Sequence, residues 1–341
     1  MNLEQRINLL VRLGQTLAGG DPGWTAAKKR AAAENGWFRP EFIDLAVEQI
    51  VQEFLQRDKL TAWAEKYQLP MEKEGPGNIG LVMAGNIPLV GFHDFLTIFL
   101  SGHRQTIKPS SKDNVLIRYV AEQLVGQDPV AGDFIGFADR LKGCDAFIAT
   151  GSNNSARYFD YYFSKYPHII RRNRSSVALL SGGESPEELS ALADDVYLYF
   201  GLGCRNVTKI YTPENYDFIP LLEAFRKYNY LSDYNKYKNN YDYYLTLLIL
   251  NKKLYMTNGS ILLEENPGLF SPISVLHYEQ YRQEPGALSL LAANLAGNPD
   301  NQCIVGRDYT PFGNAQRPSL HDYADGVDTM QFILSLPRFV S

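Results

Sequence analysis

Between residues 76 and 186 one pattern recurs: a short apolar run, a cluster of Gly, Asn, Ser or Pro, then a stretch with helical spacing. Gly77-Asn-Ile-Gly-Leu-Val-Met-Ala84 leads into Gly85-Asn86-Ile87-Pro88, and Gln105-Thr-Ile-Lys-Pro109 into Ser110-Ser111. Asp145-Ala-Phe-Ile-Ala-Thr150 leads into Gly151-Ser152-Asn153, and Ser175-Ser-Val-Ala-Leu-Leu180 into Ser181-Gly182-Gly183-Glu184-Ser185-Pro186. Helical spacing fills 87–102 and 114–125 and resumes near Ser155. Strands alternating with helices predict βαβ units, an α/β fold on a mostly parallel sheet, and ligands outside the strand C-termini.

Each of these polar clusters is ordinary turn chemistry taken singly. Taken together, Asn86, Lys108, Gly151-Ser152 and Gly182-Gly183 outline a dinucleotide crevice. Lys108 suits ribose hydroxyls or a phosphate, and a helix N-terminus after Gly151-Ser152 suits a pyrophosphate. No G-x-G-x-x-G fingerprint is present, so an ordinary Rossmann dehydrogenase is not indicated.

Several function classes are disfavoured by composition. The net charge of −5, with both signs interspersed, argues against nucleic-acid or membrane-surface binding. The Tyr-rich stretch 228–244 reads as a solvated surface with a few packed rings rather than a base-stacking platform. Cys144, Cys204 and Cys303 are odd in number and far apart, and His93, His103, His168, His277 and His321 are scattered, so neither a disulfide framework nor a metal site is expected. The N-terminus lacks a signal-peptide pattern, and 87–102 is too short to span a bilayer. A cytoplasmic protein without membrane insertion is the expectation.

The chemistry points to Tyr199-Phe-Gly-Leu-Gly-Cys-Arg-Asn-Val-Thr-Lys-Ile-Tyr211. Glycines at 201 and 203 permit a tight turn before the strand-like 207–211, presenting the Cys204 thiol as a nucleophile. A buried cysteine acting as a small hydrophobe is the competing reading. His93 lies among apolar residues and reads as packing, Cys144 and Cys303 as core, and Arg205 as either a partner of Cys204 or a surface arginine. Residues 1–75 are helical in pattern, 245–250 is a buried strand or helix, 284–298 a helix, 302–305 a strand and 307–328 loop-rich.

With these motifs in order, the chain resembles the aldehyde dehydrogenase superfamily, most closely its acyl-CoA reductase branch, over roughly residues 76–280. Gly85-Asn86-Ile87-Pro88 resembles the Asn-x-Pro turn whose amide stabilises the oxyanion. Ile107-Lys108-Pro109-Ser110 resembles the Lys-Pro-Ser strand end at the cofactor ribose, and Thr150-Gly151-Ser152 the turn at its pyrophosphate. Leu180-Ser181-Gly182-Gly183-Glu184-Ser185-Pro186 resembles the Glu-Leu-Gly-Gly-Lys-Ser-Pro segment. Gly203-Cys204 falls where the nucleophile belongs, and Phe270-Ser271-Pro272 resembles the later Phe-Gly-Pro.

The resemblance implies a Rossmann-type cofactor-binding domain at 76–195 and an α/β catalytic domain at 196–310. An N-terminal helical segment, 1–75, packs on the former, and a C-terminal tail, 311–341, returns to the body. It also implies Cys204 and Asn86 as catalytic residues and Lys108, Gly151, Ser152, Gly182 and Gly183 as cofactor ligands. The expected activity is reduction of a fatty acyl-CoA to an aldehyde with NADPH, NADH being the alternative cofactor, and a homo-oligomer is left open. Two departures bear on this. Leu180 replaces the base that hydrolytic members use, which suits discharge by hydride, not water. Gly268 replaces a Glu at the nicotinamide ribose, leaving room for a catalytically silent ligand-binding relative. A third reading replaces acyl-CoA by an acyl-phosphate or a partner-delivered acyl group.

Overall fold

Apolar residues four and three apart make the N-terminal region helical, and their shared face determines what it covers. In the computed structural model, which describes residues 1–337, α1 (Leu3–Ala18) opens with a capping box between Asn2 and Gln5. It is followed by α2 (Pro22–Glu34), α3 (Pro40–Phe54) and α4 (Arg57–Lys66). Next come β1 (Asn78–Val82), α5 (Phe92–Ser101), β2 (Arg104–Lys108), α6 (Val115–Gln127), β3 (Ile135–Phe137), β4 (Ala146–Thr150), α7 (Asn153–Phe163) and β5 (His168–Arg171). These strands form an all-parallel sheet in the order β3-β2-β1-β4-β5. The chain winds outward from β1 in both directions, so the topological switch lies between the C-terminal ends of β1 and β4.

Among the described residues this first compact unit comprises 1–173 and 319–337. Leu10, Leu13, Ile43 and Trp63 from the N-terminal helices share one core with Ile79, Leu81 and Ile148 of the sheet and with Met330 and Ile333. The last two belong to α12 (Thr329–Leu334), far along the chain. Arg6 is buried in that layer, and its Nε donates to the Leu100 carbonyl at 3.0 Å, placing a cation at the C-terminal end of α5. His93 is a packing residue: its Nε2 lies 3.0 Å from the Leu320 carbonyl among the rings of Phe54, Trp63 and Tyr323.

The second unit, Arg174–Pro318, has its own sheet. Its elements are β6 (Ser175–Leu179), α8 (Pro186–Tyr197), β7 (Val207–Pro213), α9 (Ile219–Ala224), α10 (Asn235–Leu250), β8 (Met256–Thr257), β9 (Leu262–Glu265), β10 (Val275–Tyr281), α11 (Ala287–Ala296) and β11 (Asn301–Val305). The strand order is β11-β6-β7-β10-β9-β8, parallel except for the antiparallel β8–β9 pair. The expected boundary at 195/196 is thereby corrected to 173/174, because β6 pairs with β7 and β11 and not with the first sheet. The tail likewise begins at Ser319, after 311, since Gly313 and Ala315 are bonded to Asp195 of α8. Residues 338–341 of the expected tail lie outside the described residues. In the Tyr-rich stretch, Tyr228, Tyr237 and Tyr241 are buried, and Tyr228 stacks on Tyr197 with centroids 4.8 Å apart. Among the described residues no helix is long and apolar enough to cross a membrane.

Candidate active site

In the second unit, α8 ends at Tyr197 and the chain must reverse before β7 can pair beside β6. The reversal uses three consecutive left-handed residues: Tyr199 (φ 55°), Phe200 (φ 59°) and Gly201 (φ 72°). Only the glycine adopts this conformation without steric cost. Both aromatic residues are buried, and the Phe200 ring is held against Tyr234 and Tyr237 at 5.2 and 5.8 Å. Strain of this kind persists only where the surroundings over-determine it. The turn delivers Cys204, half-buried, just ahead of β7.

Two fully buried polar side chains fasten that turn from within. Asn206 accepts the Gly203 N–H at 2.7 Å and donates to the Leu198 and Asp195 carbonyls at 2.9 and 3.0 Å. Ser176, on β6, donates to the Cys204 carbonyl at 3.1 Å and lies 3.1 Å from the sulfur of Cys303. Sequence reasoning singled out neither residue. The available signal was an Asn three residues after a glycine, from where its side chain can reach back to the glycine N–H and close the turn.

Leu180 follows β6 and is wholly buried; its N–H donates to the Tyr211 carbonyl and its own carbonyl accepts the Tyr281 hydroxyl. Gly182 (φ 89°) and Gly183 stand in the turn after it and belong to the second unit, whereas Lys108, Gly151 and Ser152 belong to the first. The Glu184 carboxylate accepts the N–H groups of Ser181 and Gly182 at 2.5 and 3.1 Å, and Arg307 donates to the Gly183 carbonyl at 2.5 Å. This turn is therefore held by Glu184 from within and by Arg307 from beyond β11. Around Gly268, Lys209 donates to the Pro267 carbonyl at 2.8 Å and to Glu279 at 2.6 Å. Thr208 donates to the Leu269 carbonyl and His277 Nδ1 to the Gly268 carbonyl, each at 2.8 Å. Burial lowers the His277 pKa, consistent with a neutral ring that donates here.

In the first unit the other expected residues gather at the C-terminal end of the parallel sheet. Asn86 is half-buried in the turn after β1, and Lys108 ends the neighbouring β2 with its side chain exposed. The two turns are interlocked. A Cβ on Gly85 would lie 2.6 Å from the Ser110 hydroxyl and 3.0 Å from the Asp113 nitrogen. Asp113 accepts the N–H of Leu89, itself left-handed at φ 53°, at 2.7 Å. Burial pushes the Asp113 carboxyl up to about 7.

Gly151 follows β4, where a Cβ would lie 2.9 Å from that of Ser155, and Ser152 caps α7 by accepting the Ser155 N–H at 3.3 Å. Asn86 and Gly151 thus flank the topological switch, as a ligand site in such a sheet requires. The three cysteines carry no disulfide, and among the described residues no group of three or more His, Cys, Asp or Glu is placed to hold a metal.

Neither a family model nor a curated protein matches the sequence. Solved structures do match the fold. A Mycobacterium tuberculosis aldehyde dehydrogenase complexed with NAD+ superposes with a TM-score of 0.63 at 16% identity, covering 86% of this chain and 71% of that one. Glyceraldehyde-3-phosphate dehydrogenase from Methanocaldococcus jannaschii, complexed with NADP, gives 0.62 at 13% identity, covering 86% and 74%. A mutant of aldehyde dehydrogenase C from Pseudomonas syringae, complexed with NAD+ and octanal, gives 0.63 at 12%, covering 90% and 73%. Two sheets of these strand orders, joined in this sequence and matched over most of both chains, make this the aldehyde dehydrogenase fold.

Proposed function

We propose that this chain reduces an activated acyl group to an aldehyde through an acyl-enzyme on Cys204, with a fatty acyl-CoA as donor and NADPH, or alternatively NADH, as reductant. The observation that carries the proposal is the Cys204 turn: a half-buried thiol on a strained reversal fastened from inside by Asn206 and Ser176. A merely structural cysteine needs no such mounting. The fully buried Leu180 supports discharge by hydride over hydrolysis, since no carboxylate stands there to activate water.

In the proposed reaction the Cys204 thiolate bonds to the thioester carbonyl carbon and the carbonyl electron pair moves onto oxygen. Its return breaks the bond to the CoA sulfur, which leaves and takes up a proton. The Cys204 backbone N–H and, by resemblance, the Asn86 amide stabilise the oxyanion; losing one such donor costs about 10²–10³ in rate. A bound reduced nicotinamide dinucleotide would supply the hydride that turns this acyl-enzyme into an aldehyde. The switch-point turns at Asn86 and Gly151-Ser152, with Lys108 beside them, suit the ribose and phosphates of such a group, and two of the similar structures are NAD+ complexes. Gly182 and Gly183 join that assignment through the resemblance alone.

The segment at Gly268 favours a second reading. It offers no carboxylate to a ribose, and a Cβ there would lie 3.1 Å from Asn266 Oδ1. That observation fits a silent ligand-binding relative. Intact-protein mass spectrometry after incubation with a series of acyl-CoA thioesters, without cofactor, decides between them. One acyl adduct on Cys204, absent from Cys204→Ala and discharged by NADPH, is the expected result. An adduct from acyl-phosphate alone changes the donor, and no adduct from either donor leaves the silent relative.

A further inference from the structure

The peptide units on both sides of Cys204 are tied to the interior. On the N-terminal side Asn206 grips Gly203 twice: its Oδ1 accepts the Gly203 N–H at 2.7 Å, and its main-chain N–H donates to the Gly203 carbonyl at 3.1 Å. Its Nδ2 is anchored to the carbonyls of Leu198 and Asp195 at the end of α8, which lack intrahelical donors. On the C-terminal side Ser176 donates to the Cys204 carbonyl. In a planar trans peptide the C=O and N–H point in opposite directions, and no peptide bond here is cis. With the Gly203 carbonyl turned towards the Asn206 main chain, the Cys204 N–H is directed the other way.

We propose that Asn206, assisted by Ser176, is a positioning residue that aims the Cys204 backbone N–H at the oxygen of an acyl group being transferred to the Cys204 sulfur. This rests on the reading of Cys204 as the nucleophile. Acyl transfer builds negative charge on that oxygen, and a donor fixed in advance stabilises it without reorganisation. Alkylation by iodoacetamide forms a carbon–sulfur bond as the carbon–iodine bond breaks, with no oxyanion at any stage. Aiming the N–H therefore matters to the first reaction and not to the second.

The test compares the two reactions on the full chain. Acylation is read from the burst of nitrophenolate with p-nitrophenyl acetate, a donor that does not presuppose CoA. Alkylation is read by mass spectrometry of iodoacetamide labelling at Cys204. Asn206→Ala should slow the burst by less than the roughly 10²–10³-fold that loss of an oxyanion donor itself costs, while alkylation stays near the wild-type rate, and Ser176→Ala should give a smaller loss of the same kind. Asn206→Asp keeps the acceptor for the Gly203 N–H and should fall between wild type and Asn206→Ala. Should Asn206→Ala not fold, Ser176→Ala and Asn206→Asp carry the comparison. Equal changes in both reactions, or an unchanged burst, overturn the proposal. A wild-type protein with no burst removes both the nucleophile and its positioning residue. A wild-type burst without any acyl-CoA adduct removes only the donor proposed above, and the variants still decide the role of Asn206.

Discussion

Asp195 shows how a single side chain can hold two parts of a fold and make their stability depend on pH. Its carboxylate accepts the N–H groups of Gly313 and Ala315 at 2.6 and 2.9 Å, while its carbonyl supports Asn206. Burial raises its pKa to about 7, the two N–H bonds opposing; Asp194 adds to the rise and Lys227 opposes it. Between pH 4 and 7 the folded protein retains a proton that the unfolded chain has lost. Stability therefore falls as pH rises through that window, by up to about 1.4 kcal/mol per unit for one group, and levels off above it. Urea midpoints at pH 5, 6 and 7 should show this slope, and Asp195→Asn should reduce it. The tight turn ahead of β7, with glycines at 201 and 203, was legible in the sequence because turn chemistry is local. The turn nevertheless starts at Tyr199 and Phe200, whose left-handed backbone no propensity announces; the Phe200 ring is held by Tyr237 of α10, a contact made only in the fold.

At the scale of elements, α8 links the turn at Gly182 to the one at Cys204. Its N-terminus carries a complete capping box, Ser185 with Glu188, and Arg307 donates to both oxygens of Glu188 at 2.8 and 2.7 Å. Ser185→Ala should destabilise the protein by about 1 kcal/mol in denaturant melts. The strands β1, β2, β4, β6, β7 and β11 were readable because each fills an expected apolar or β-branched run. β3 and β5 were not: β3 spans Ile135–Phe137 only, and β5 is an edge strand with His168 exposed, so neither has the buried apolar run that marks a central strand. The apolar run 245–250, ambiguous in sequence, is the last part of α10, with Ile249 and Leu250 exposed.

At the scale of the whole molecule, the sequence indicated two α/β bodies but misplaced their boundary, because strand pairing between distant segments has no local signature. The buried pair Arg171–Asp94 illustrates such a long-range tie, and Arg171 also donates to Thr329 of α12 at 2.7 Å. Asp94→Ala strands a buried guanidinium and should cost about 3–5 kcal/mol by chemical denaturation, the loss typical when one partner of a buried pair is removed.

The return of the chain at Ser319 has a consequence for synthesis on the ribosome. The second unit is contiguous, with both β6 and β11 inside Arg174–Pro318, and needs nothing translated later to complete its sheet. The first unit, although translated earlier, lacks the lining supplied by Leu320, Tyr323, Met330 and Ile333 until those residues emerge. In a nascent chain arrested near residue 318, Trp63 and His93 would still face water or a chaperone. Of the two units, the one whose synthesis starts earlier is then completed later.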